Sequence, residues 1–122
     1  MNAPMQKTVL VVDDDPDHLD VLTTMLSGSG LVVTPVGSVE EALSVWQRES
    51  FDAVVSDLRM PDRDGYALAQ EIRRRENGRP GIRAIAVSAN AAAQDVEQAR
   101  AAGFDAHVAK PVDPEELLAA LA

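Results

Sequence analysis

The sequence predicts an α/β fold, a doubly wound five-stranded parallel sheet with five helices. Three observations carry that prediction. Five short runs rich in β-branched and small apolar residues alternate with five segments of helical periodicity. The strand runs are almost continuously apolar, as strands buried on both faces must be. Capping signatures open the helical segments where the runs end. Such an order implies right-handed crossovers and helices on both faces of the sheet.

Thr8 to Val12 (TVLVV) is the first strand run, and it stops in Asp13-Asp14-Asp15-Pro16, with Pro suited to the first position of a helix. From there Leu19, Leu22, Met25 and Leu26 recur at helical spacing until Gly28 and Gly30 end the pattern. Leu31 to Val36 reads as a strand, and Pro35 within it cannot donate a ladder hydrogen bond, which predicts a sheet edge. Ser38-Val39-Glu40-Glu41 is a capping box before a helix carrying Ala42, Leu43 and Trp46. Phe51 to Asp57 is the third strand run, followed by a turn-rich stretch to Gly65 and a helix with Tyr66, Ala69 and Ile72 on one side. Ile82 to Ser88 is the fourth, and an alanine-rich helix from about Ala91 to Ala102 follows, ending at Gly103. Ala106 to Ala109 is a short fifth strand, and Asp113-Pro114-Glu115-Glu116 caps a last helix bearing Leu117, Leu118 and Leu121.

At 122 residues and 13.0 kDa the chain fits one domain. A short flexible N-terminus over residues 1–6 and a single domain over residues 7–122 are expected. The absence of cysteine excludes disulfide frameworks, thiolate metal sites and cysteine nucleophiles. Twenty acidic against eleven basic residues give a net charge of −9, and aromatics are 3%. That balance argues against a nucleic-acid binder, which needs cations for phosphates and rings for bases. The basic run Arg73-Arg74-Arg75 reads as a solvated helix face. No apolar run approaches the ~18 residues a bilayer span needs, and Met1 to Gln6 has no signal-peptide pattern, so a cytoplasmic protein without membrane insertion is expected.

In doubly wound sheets ligands sit beyond the carboxyl ends of the strands. Asp13, Asp14 and Asp15 follow the first strand, Asp57 ends the third, Ser88 ends the fourth and Lys110-Pro111 follows the fifth, so all converge on one rim. Helix capping explains one of the three successive aspartates. Three or four carboxylates at one rim repel one another unless a cation lies between them, and hard oxygen ligands without His or Cys suit Mg²⁺. Lys110, one of two lysines, stands where an ammonium balances a carboxylate or binds a phosphoryl oxygen.

The stretches VLVVDDDP (9 to 16), VVSDLRMPDRDG (54 to 65), AVSA (86 to 89) and AKP (109 to 111) resemble, in this order and spacing, the CheY-like receiver domain of two-component response regulators. The resemblance covers essentially the whole chain and implies strand order 2-1-3-4-5. It implies Asp57 as phosphoacceptor from a sensor histidine kinase or histidine phosphotransfer protein. It also implies direct Mg²⁺ ligation by Asp14, Asp57 and the backbone carbonyl of Arg59, with Asp13 acting mainly through water. Lys110 and Ser88 would contact the phosphoryl oxygens, and movement of the Ser88 loop would carry the signal. The switch position on the fifth strand, aromatic in the family, is His107 here. Arg59 and Asn90 occupy the two positions that tune how fast water removes the phosphoryl group, and neither is an acid. A downstream protein partner is expected at the face of the fourth helix, fifth strand and fifth helix.

A flavodoxin-like flavin carrier needs a Ser/Thr/Gly-rich phosphate loop after the first strand, where this chain has five aspartates between residues 13 and 20. A phosphoester hydrolase needs a general acid or base next to Asp57, and none is evident. A degenerate receiver acting through protein binding alone fits poorly with the intact Asp13, Asp14, Asp57 and Lys110 set. A stand-alone regulator and a receiver belonging to a hybrid kinase remain equally open.

Overall fold

The structure is a computed structural model, and it describes residues 7–61, 63–78, 81–89 and 93–121. The residues 1–6 expected to be flexible, and Asn90, lie outside the described residues. Strands β1 (Thr8–Val12), β2 (Val32–Val36), β3 (Ala53–Asp57), β4 (Arg83–Ser88) and β5 (Ala106–Ala109) alternate with helices α1 (Pro16–Gly28), α2 (Val39–Arg48), α3 (Gly65–Glu76), α4 (Ala93–Ala102) and α5 (Pro114–Leu121). All strand pairs are parallel and the sheet order is β2-β1-β3-β4-β5. β2 is therefore an edge strand, as Pro35 requires.

Alternation along each strand divides the core between the two faces. Leu10, Val12, Val54, Ala84 and Ala86 point to α2, α3 and α4, meeting Leu43, Leu68, Ile72, Ala99 and Phe104. Val9, Val11, Val55, Ile85, Val87 and Val108 point the other way, to Leu22 and Leu26 of α1 and to Leu117 and Leu121 of α5. Full burial of a leucine of this kind contributes ~1.5–3 kcal/mol.

The helix starts follow the capping chemistry. Asp15 accepts from the Asp17 amide at 3.0 Å at the start of α1, and Ser38 from the Glu41 amide at 3.1 Å at the start of α2. Glu41 reaches back to the Gly37 amide at 2.8 Å, one residue further than a capping box between positions 38 and 41 requires. Asp64 caps α3 through the Ala67 amide, and Asp113 accepts from the Glu115 amide ahead of α5.

The run Arg73-Arg74-Arg75 is not uniformly a solvated face, because Arg73 turns inward. Its guanidinium donates to the carbonyls of Gly103 (2.9 Å) and Ile82 (2.7 Å) and pairs with Glu76 and Asp105 at 2.9 Å each. Arg74 and Arg75 do stay on the outer face, where both bind Glu71. Among the described residues, no helix is long and apolar enough to cross a membrane.

Candidate functional site

The parallel strands end together, so residues far apart in sequence meet at their carboxyl ends. Asp13 follows β1 and its amide donates to the Val36 carbonyl of β2 at 3.2 Å. Asp57 is the last residue of β3, paired with Val87 of β4, while Ser88 ends β4 opposite Ala109 of β5. The Lys110 amide donates to the Ser88 carbonyl at 2.9 Å, which ties the rim of β5 to that of β4. The Lys110-Pro111 peptide bond is cis.

Asp13, Asp14 and Asp57 each offer a carboxylate oxygen, and these oxygens all lie within 4.8 Å of one another. Asp13 and Asp57 are buried and Asp14 is exposed, so the cluster has two walls and one open side. An octahedral Mg²⁺ with bonds of ~2.1 Å places opposite ligands ~4.2 Å apart and keeps several waters, so an all-carboxylate set of this width with a solvent-facing side fits it. Asp15, the third of the successive aspartates, is taken up by capping α1.

Each buried carboxylate has defined partners. Asp57 accepts from Lys110 Nζ at 3.0 Å on one oxygen and from the Arg59 amide at 3.3 Å on the other. Asp13 accepts from the Asp15 amide at 2.9 Å, and its second oxygen meets Nδ1 of His18. His18, on the first turn of α1, was not recognised from sequence. The available signal was its place as the third helical residue, since side chains there lean back over the helix start.

Ser88 is buried on the same face of the sheet as His107, by the alternation that sets Ala86 opposite His107 and Ser88 opposite Ala109. His107 is half-buried, and its Nε2 is buried with no hydrogen-bond partner among the described residues. It borders a small pocket of about 20 Å³ with Val96, Ala99, Arg100 and Phe104, between α4 and β5. The Arg59 side chain is exposed and lines a larger cavity of about 450 Å³ with Met60, Asp64, Tyr66, Asp95 and Gln98. Burial, and secondarily the Asp95 carboxylate, push the Tyr66 phenol above its ordinary pKa.

The family model described as response regulator receiver domain matches residues 9–122. The chain is 42% identical over 118 residues to an uncharacterised 14.6 kDa protein of Leptolyngbya boryana, covering 97% of this chain and 89% of that one. It is 37% identical over 113 residues to the transcriptional regulatory protein GlrR of Escherichia coli, but those residues are 93% of this chain and only 25% of that protein. Among solved structures it superposes with a TM-score of 0.85 on the receiver domain of a sensor histidine kinase from Pseudomonas aeruginosa, at 37% identity over 96% of this chain and 95% of that one. That structure has a magnesium ion coordinated in its active-site cleft. This chain belongs to the response regulator receiver domain family of two-component signalling, with its CheY-like fold.

Proposed function

We propose that the chain accepts a phosphoryl group on Asp57 from a phosphohistidine of a sensor histidine kinase or histidine phosphotransfer protein, in a Mg²⁺-dependent reaction, and signals by a change of conformation. The observation that carries this reading is the buried Asp57 carboxylate held 3.0 Å from Lys110 beside the Asp13 and Asp14 oxygens. An Asp57 oxygen attacks phosphorus, the bond from phosphorus to the donor imidazole nitrogen breaks, and that nitrogen keeps the electron pair. Phosphoryl transfer asks the protein mainly for positioning and charge neutralisation. Asp14, Asp57 and the Arg59 carbonyl, with Asp13 through water, would hold Mg²⁺, which when bound would supply neutralisation of the phosphoryl oxygens. Lys110, 3.0 Å from the Asp57 carboxylate, brings a second positive charge to the phosphoryl oxygens, and Ser88 donates to one of them.

Phosphorylation replaces one negative charge on Asp57 by about two and adds strong acceptors, which draw Ser88 and its loop inward. His107, with its unpartnered Nε2 on the same face, follows as the switch residue. α4 is anchored mainly by the small side chains Ala99 and Ala102, so it moves at low cost and forms the partner surface with β5 and α5. The chain is a signalling module that promotes its own phosphorylation and dephosphorylation, and it works without binding nucleic acid.

Borohydride reduction of the phosphorylated protein, followed by peptide mass mapping, tests the assignment. The reduced residue is expected at position 57. Reduction at Asp13 or Asp14 with position 57 unmodified would overturn it.

A further inference from the structure

We infer that His18 is a positioning residue for the cation shell, holding the Asp13 carboxylate in the orientation that serves Mg²⁺. This rests on the reading of Asp13, Asp14 and Asp57 as that shell. The Asp13 side chain is completely buried, and its two oxygens are taken by two donors from the start of α1, the Asp15 amide on Oδ1 and His18 Nδ1 on Oδ2. An ionised carboxylate only accepts, so Nδ1 carries the hydrogen.

One donor on each oxygen fixes both side-chain torsions of Asp13 and leaves each oxygen a further lone pair for the cation's water. The pair is not a helix cap, because α1 is capped by Asp15. Its effect is therefore to lock Asp13 to α1. Partners one shell out from a metal set ligand orientation, and their loss typically weakens metal binding about 10–100-fold.

The test is Mg²⁺ affinity by titration calorimetry on the wild type and on His18→Leu, His18→Asn and His18→Gln, with thermal midpoints recorded for each. The Asn amide nitrogen sits the same number of bonds from Cα as Nδ1, and the Gln nitrogen one bond further. His18→Leu is expected to weaken Mg²⁺ binding about 10–100-fold, His18→Asn to recover most of the loss, and His18→Gln to resemble Leu. Because Asn and Gln differ little in polarity, their separation is a readout that a merely structural role would not move. Wild-type affinity in His18→Leu, or equal losses in all three folded variants, would overturn the inference while leaving the function standing. A wild type that takes up no Mg²⁺ would overturn the function itself, and this inference with it.

Discussion

A Cβ added at Gly65 would lie 2.3 Å from the carbonyl oxygen of Asp57, and 3.0 Å from Cα of Leu58. The first residue of α3 thus packs directly on the backbone of the proposed phosphoacceptor, and the Gly65 amide donates to the Leu58 carbonyl at 3.1 Å. Neither neighbour is a flexible side chain, so any larger residue must displace backbone. Gly65→Ala is expected to cost ~1–3 kcal/mol, read as a lower urea midpoint, because overpacking at a rigid contact strains both sides. An unchanged midpoint would contradict the close approach.

Arg73 joins α3 to the loop before β5 and to the start of β4. The chain has Gly103 at φ +122° beneath it, where a Cβ would lie 2.7 Å from Cγ of Arg73. Asp105, its partner, also accepts from the Ala84 amide at 2.8 Å. Arg73→Met is expected to lower stability by about 2 kcal/mol in urea unfolding, since it removes at once the side-chain donor to two carbonyls and the cation paired with two carboxylates. Arg73→Lys is expected to recover little, because one ammonium cannot reproduce the planar fork. Recovery by Lys to the wild-type midpoint would contradict this account.

Local chemistry is legible in this sequence, and the choice of distant partners, as at Arg73 and His18, is not. Pro35 placed β2 at an edge because a missing N–H is a local property, and Ser38 with Glu41 marked a helix start for the same reason. The rim of Asp13, Asp14, Asp57, Ser88 and Lys110 was legible because parallel topology brings all strand ends to one side. Arg73 was misread, since its partners at Gly103 and Asp105 are ~30 residues away and only packing selects which arginine of three turns inward. His18 was passed over because its aspartate partner lies outside the helix that bears it.

Arg74 and then Arg75 donate to Glu71 and hold its carboxyl well below the ordinary range, at about 2. In the unfolded chain the group titrates near ~4.3. A depressed folded value means the contribution to stability is present above the unfolded pKa and is lost as pH falls through the folded one. The effect is small, because Arg74 is 70% exposed and the pairs are screened by solvent. Wild type and Glu71→Gln are expected to differ slightly in urea midpoint at neutral pH and to converge as pH falls to about 2. A gap that widens on acidification would contradict the sign.

Arg59 is exposed beside the proposed site, and neither Arg59 nor Asn90 is an acid that could assist the water expected to remove the phosphoryl group. The phosphorylated form is expected to persist for minutes or longer, and Arg59→Ala and Asn90→Ala are expected to shorten its life, followed by mass spectrometry after donor removal. Loss within seconds in the wild type, unaccelerated in either variant, would contradict this.

Intact mass after incubation with acetyl phosphate, with and without Mg²⁺, on wild type and Asp57→Ala decides whether Asp57 is the phosphoacceptor. A gain of one phosphoryl group is expected in the wild type, requiring both Mg²⁺ and Asp57. A gain retained in Asp57→Ala, or one indifferent to Mg²⁺, would contradict it.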